Sequence, residues 1–282
     1  MNIAISGASG FIGTYLSAFL MESGHQIFPL GRQMFSGKGN EELVRTLSQC
    51  DAVVNLAGAP INKRWTSAYK EELYNSRIPV TGQIVQAMKS LSRKPQLFIS
   101  TSAVGYYPST GCHNEDSNMT GEGFLSHLCR KWEQAAMMCP PDVRLVITRF
   151  GIVLSRHGGA LRPMLLPTQM KATCVIAPGC QPFPWISITD LCRALLYIIE
   201  TPQLHGTINM VAPQIVTQRE FTQCMGKHYH TWFTLTIPSF IFRLLYGEAA
   251  SFLTSGQKVV PQRLVEAGFE FTHPDIETFW SL

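Results

Sequence analysis

Gly7, Gly10 and Gly13 stand three residues apart in the run GASGFIG. Backbone free of side chains can approach a phosphate closely. In such a loop the first glycine permits a tight turn, the second admits a pyrophosphate, and the third lets a helix pack tightly on a strand. A helix starting there offers free N–H groups and the positive end of its dipole to the phosphates. The backbone of Ser9, Gly10, Phe11, Ile12 and Gly13 is therefore the expected contact. The chemistry implied is dinucleotide binding, and the competing reading is a glycine-rich turn that holds nothing.

Which dinucleotide is decided at the end of the second strand, where an acid would accept the 2′-hydroxyl of NAD. Here the run is LGRQM, in which Gly31 is followed by Arg32 and no acid is present. A planar guanidinium suits a 2′-phosphate, so NADP is the expected cofactor. A solvated Arg32 with a preference for NAD is the alternative.

These residues need a strand, a turn and a helix to hold them. The apolar run from Asn2 to Ser6 meets the glycines, and a helical pattern through Ile12, Leu16, Phe19 and Leu20 follows. Further strands are expected over Gln26–Leu30, Ala52–Leu56, Leu97–Ser100, Leu145–Thr148 and Thr207–Val211. Helices are expected over Glu41–Ser48 with Asn40 as cap, Ser67–Met88 broken by Pro79, Phe124–Met138 and Asp190–Glu200, the last with Asp190 as cap. Thr217 and Glu220 fit a capping box. Too few residues lie between Arg32 and Asn40 for another helix and strand, so one strand is expected to be missing there. This alternation predicts an α/β fold: a Rossmann-type doubly wound parallel sheet with a smaller, mainly helical C-terminal substrate domain. The division expected is 1–158, completed by about 183–212, for the nucleotide-binding domain, and 159–182 with 213–282 for the substrate side.

Bulk properties narrow the partners. A net charge of +4 with only 15% charged residues argues against nucleic acid. Apolar runs near Leu195 and Phe240 are interrupted by charges and fall short of a membrane span, so no membrane partner is expected. No signal peptide is read at the amino end, and eight cysteines without a C-x-x-C pair fit reduced thiols in the cytoplasm. His228 and His230 have no third ligand in view, and no metal is expected. Oligomeric state is not legible.

GASGFIG, DAVVNLAG at 51–58, STSAVGYY at 100–107 and WISITDL at 185–191 resemble the extended short-chain dehydrogenase/reductases, the NAD-dependent epimerase/dehydratase superfamily. NLAGAPINKRW, NSR at 75–77, LCRKWE at 128–133 and the tail VVPQRLVEAGFEF resemble an atypical branch of nucleoside-diphosphate-sugar epimerase type, whose C-terminal domain has no assigned role. The resemblance spans nearly the whole chain. It implies that Leu56, Ala57 and Gly58 line the cofactor and that Arg149 to Val153 pass its nicotinamide end. Arg77 falls at a position usually held by asparagine and is expected to face the cofactor phosphates or an anionic substrate, with a helix-surface salt bridge as the alternative. Glu72 is a candidate for a ribose hydroxyl, against a solvated carboxylate.

Ordinary members of this superfamily use a serine or threonine with Y-x-x-x-K, the tyrosine moving the proton and the lysine lowering its pKa. Here Leu125 and Cys129 fall at the tyrosine and lysine positions. Ser102 matches the serine, and Tyr106 or Tyr107 is the remaining candidate for the proton, against a packing role for both rings. Cys129 is read as a small buried hydrophobe in preference to a reactive thiol. Two functions stay open: an NADP-dependent epimerase/oxidoreductase-like enzyme for a small polar substrate, nucleotide-linked ones included, and a catalytically silent NADP-binding sensor or regulatory module.

Overall fold

Side chains alternate across a strand, so a strand that is apolar at every position must be covered on both faces. The computed structural model describes every residue except Lys38 and Leu282. Its first half runs β1 (Asn2–Ser6), α1 (Phe11–Glu22), β2 (Gln26–Leu30), α2 (Asn40–Leu47), β3 (Ala52–Asn55), α3 (Ser67–Asn75), α4 (Ile78–Ser90), β4 (Leu97–Ala103), β5 (Cys112–His113), α5 (Gly123–Met137) and β6 (Arg144–Phe150). Then come β7 (Ile152–Ser155), β8 (Gly158–Gly159), α6 (Leu161–Leu165), β9 (Ala172–Ile176), β10 (Trp185–Ser187), α7 (Ile188–Glu200), β11 (Gly206–Met210) and α8 (Gln218–His228). The chain closes with β12 (Phe233–Ile237), α9 (Ser239–Tyr246), α10 (Ala250–Thr254), β13 (Lys258–Val259), α11 (Gln262–Glu266) and α12 (Ile276–Ser281).

Six strands form one parallel sheet in the order β11-β6-β4-β3-β1-β2. Ile3, Ile5, Val54 and Ile99 face Leu16 and Leu20 of α1 and Leu191, Leu195 and Ile198 of α7. Ala4, Val53 and Phe98, the intervening residues, face Leu43 and Leu47 of α2 and Ile84 and Met88 of α4. This is the doubly wound arrangement, and it puts the ends of β1, β3, β4 and β6 along one edge. The short Arg32–Asn40 spacing has the predicted effect. Among the described residues, a 3₁₀ turn over Arg32–Phe35 is the only element between β2 and α2, and β2 ends the sheet, a place where Pro29 is tolerated because no further strand needs its missing N–H.

Local chemistry sets some of the helix boundaries. Thr217 and Glu220 form the capping box at α8, and Pro79 lies in the first turn of α4, where it costs no helical hydrogen bond. Two expected caps are corrected. Asn40 is the first residue of α2, after Gly39, with no side-chain capping bond. At α7 the cap is Ser187, whose Oγ accepts from the N–H of Asp190. Asp190 lies three residues inside and is fully buried, and its carboxylate accepts the N–H groups of Thr272 and His273 at 2.7 and 2.8 Å. It thereby ties the C-terminal tail to the sheet domain.

The C-terminal part is mainly helical and is stitched back by two short parallel pairs, β12 on β9 and β13 on β5. Phe221, Met225, Phe279 and Trp280 pack with Phe183 and Trp185 in one shared cluster. No described helix is long and apolar enough to cross a membrane.

Candidate functional site

The turn after β1 is built around Gly7, whose φ of +71° lies in the left-handed region that favours glycine. A Cβ at Gly13 would sit 2.2 Å from the Gly7 carbonyl oxygen, so α1 can close onto the turn only with glycine there. The N–H of Gly10 donates to the Gly7 oxygen at 2.9 Å, and the N–H of Thr14 is the first to reach back to Gly10. Gly10 ends the turn with no side-chain cap. The N–H groups of Phe11, Ile12 and Gly13 consequently have no intrahelical acceptor, and the dipole of a 12-residue helix stands behind them. Such an end accepts a phosphate. Ser9 is exposed beside it. Phe11 packs against the β7–β8 hairpin, leaving no room for a Cβ on Gly159, and stacks edge-on with Tyr15.

Gly31 and Arg32 follow β2 directly, with Arg32 exposed at the start of the 3₁₀ turn. A buried polar chain fixes the neighbouring strand end. Ser6 Oγ donates to Asn55 Oδ1 at 2.6 Å and accepts from the N–H of Ala57 at 3.2 Å. Asn55 Nδ2 and Trp132 Nε1 both donate to Thr81 Oγ1, at 2.8 and 3.0 Å. Leu56, Ala57 and Gly58 are thus held in a set conformation beside the glycine loop. Sequence reading missed Ser6, Asn55 and Thr81, although a serine and an asparagine inside otherwise apolar strands are the visible clue.

Arg77 is placed differently from expectation. It is buried, and its guanidinium donates to the carbonyls of Ala59 and Leu73 at 2.9 and 3.2 Å while lying 5.1 Å over the Trp132 ring. A Cβ on Gly58 would come within 2.8 Å of its Cζ. It is a strut beneath the loop after β3 and forms no salt bridge among the described residues. Burial holds its pKa below the usual arginine value. Glu72 is exposed on α3, and Val153 is half-buried on β7.

Beside Ser102 this chain holds a buried ion pair. Arg149 Nε and Nη2 donate to Glu133 Oε1 and Oε2, both at 2.8 Å, with the two side chains only 5% and 3% exposed. Ser102 Oγ donates to Glu133 Oε1 at 2.6 Å. Burial alone would lower the Arg149 pKa, but the bidentate carboxylate outweighs it and the net shift is upward. The guanidinium lies 3.5 Å from the Tyr106 ring centre and 4.7 Å from that of Tyr107. Leu125 Cδ2 covers Gly105, where a Cβ would lie 2.6 Å away. Cys129 is sealed in, its thiol pushed up to about 12 by burial and then by Glu133.

The three catalytic candidates differ in their surroundings. Ser102 is 1% exposed with its proton directed to Glu133. Tyr107 is equally buried, its hydroxyl 3.0 Å from both Asn114 O and Asn209 Oδ1, and burial raises its pKa. Tyr106, half-buried on the Arg149 face, is the phenol left near the sheet edge. Sequence reading named the positions of Glu133 and Arg149 but not their pairing. A charged residue inside the strand LVITRF and an acid on the apolar face of α5 are the clues. His228 packs at a tilt against Trp280, and no cluster of three metal-ligating side chains occurs among the described residues.

The model of the NAD dependent epimerase/dehydratase family matches residues 3–211, and that of a domain of unknown function, DUF1731, matches residues 237–279. The mouse epimerase family protein SDR39U1 is 36% identical over 98% of this chain and 97% of its own length. A chloroplastic homologue from Arabidopsis thaliana is 36% identical over 97% and 84%. The crystal structure of human epimerase family protein SDR39U1 with NADPH superposes with a TM-score of 0.92 at 35% identity, covering 99% of this chain and 98% of that one. A dTDP-4-dehydrorhamnose reductase of Clostridium acetobutylicum shares the fold at a TM-score of 0.81 and 13% identity, covering 100% of this chain and 98% of its own.

Proposed function

The chain belongs to the NAD dependent epimerase/dehydratase family, and from that premise we propose that it binds NADP(H) and acts as an epimerase/oxidoreductase-like enzyme on a small polar substrate. In this reading the N–H groups of Phe11, Ile12 and Gly13 take the pyrophosphate, with Ser9 and Gly10 lining it, and Arg32 takes the 2′-phosphate. Leu56, Ala57 and Gly58 line the nucleotide, Glu72 reaches for a ribose hydroxyl, and Val153 flanks the nicotinamide. The observation that carries it is the uncapped start of α1 behind a left-handed Gly7, with an exposed arginine and no acid at the end of β2. The human relative crystallised with NADPH supports the same cofactor. Residues 1–158 with 183–212 form the nucleotide side and 159–182 with 213–282 the substrate side. Eight free cysteines fit the reducing cytoplasm.

Bound NADPH supplies a hydride, and this chain must supply the proton. Tyr106 is the group we assign to it. A second reading, a silent NADP(H)-binding sensor or regulatory module, is favoured by one observation: the Ser102 hydroxyl is turned into the Glu133–Arg149 pair, and Leu125 and Cys129 occupy the places of the acid–base pair. The two separate in a single assay, NADPH consumption with a panel of sugar nucleotides and small carbonyl compounds. Turnover that falls at least a hundredfold in Tyr106→Phe supports the enzyme. Tight NADPH binding with no turnover supports the sensor, and absence of binding removes both.

A further inference from the structure

The largest uncovered apolar side chains of the C-terminal part fall together. Met170 is 80% exposed at the end of the turn before β9, and Trp232 and Phe233 are 82% and 51% exposed at the start of β12. On α9, Phe240, Leu244 and Leu245 are 65%, 73% and 60% exposed, and this helix has no buried residue at all. The three elements adjoin: the N–H of Trp232 donates to Lys171 O at 2.8 Å beside Met170, and β12 runs through Pro238 into α9. Scattered apolar residues on a surface need no explanation, whereas a connected set of this size marks an interaction face.

Charge says what the face meets. Residues 156–176 and 221–247, which contain all three elements, include no Asp or Glu. Each element instead carries or adjoins an exposed cation: Arg162 on α6 before the turn, Lys171 beside Met170 and Trp232, and Arg243 within α9. Glu248, just beyond α9, is paired with Lys70, and a tryptophan, phenylalanines and leucines edged chiefly by lysine and arginine form the composition that lies in the headgroup region of an anionic bilayer. A second copy of the chain would set these cations against their own kind, which disfavours that occupant. The absence of a spanning helix concerns crossing a membrane, and α9, at eight residues, is far too short to cross. Lying on one is a different requirement.

We propose that the face formed by the turn before β9, by β12 and by α9 docks the protein on the surface of anionic lipid bilayers, away from the nucleotide loop. The test is co-sedimentation of the full chain with vesicles of phosphatidylcholine alone or with 30 mol% phosphatidylserine, roughly the anionic content that attracts basic segments. Binding is expected to be at least tenfold tighter to the anionic vesicles and to weaken in high salt. Arg243→Gln should weaken it about fivefold, and Phe240→Asp with Leu244→Asp should abolish it. Both variants should retain wild-type NADPH binding and melting temperature. Equal binding to neutral and anionic vesicles, no binding to either, or binding that survives Phe240→Asp/Leu244→Asp would each overturn the assignment. So would a wild-type dimer in light scattering that this double variant splits while vesicles remain unbound, since the face would then join two copies.

Discussion

Arg32 is one exposed guanidinium, and the cofactor preference is assigned to it alone. Arg32→Ala should weaken NADPH binding about tenfold or more, the worth of one charge-assisted contact, and leave NADH within about threefold, as read by fluorescence titration. Glu133 makes the opposite kind of contribution, because a buried ion pair is costly to break from one side. Glu133→Gln should lower the unfolding free energy in urea by about 3–5 kcal/mol, and Glu133→Gln with Arg149→Met should recover much of that loss. Thiol chemistry separates along the same lines. Cys129 and Cys192 are buried with pKa values pushed up to about 12, so both are protonated at pH 8, far below that value. Iodoacetamide at pH 8 should therefore modify the exposed Cys112 and Cys180 first and reach Cys129 and Cys192 only on unfolding, as followed by mass spectrometry.

The junction of β1 and α1 was legible in the sequence because everything that shapes it is local: three glycines, the strand before them and the helix after. Gly13→Ala should separate the helix from the turn, lowering stability by about 1–3 kcal/mol and abolishing NADPH binding together. Thr217→Ala, which removes a cap remote from the loop, should cost about 1 kcal/mol and leave NADPH affinity unchanged. The absent strand beyond β2 was legible for a different reason, since too few residues separate Arg32 from Asn40 to build one. The Ser102–Glu133–Arg149 cluster was not legible as a cluster. Ser102 and Arg149 are register partners on β4 and β6, and Glu133 reaches them from α5, so their meeting depends on sheet order. Arg77 misled for a related reason. Its charge suggested a ligand, and only the fold shows that backbone carbonyls and the Trp132 ring take it up.

Across the whole molecule, the parallel sheet could be read from alternation alone, while the attachment of the C-terminal part could not. That attachment runs through β13 on β5 and the Asp190 carboxylate under Thr272 and His273, pairings of residues far apart in sequence. WISITDL suggested a capping aspartate, and packing made it a latch. Asp190→Asn keeps the shape but removes the charge that two backbone N–H groups and Arg193 face. It should lower the melting temperature of the full chain by several degrees, as expected for about 1.5–3 kcal/mol per charged hydrogen-bonding group. The account as a whole stands on the nucleotide site, and calorimetric titration of the purified chain with NADPH and then NADH tests it most directly. One NADPH bound per chain, at least tenfold tighter than NADH, is the predicted result. No heat from either nucleotide, or equal affinity for both, would contradict it.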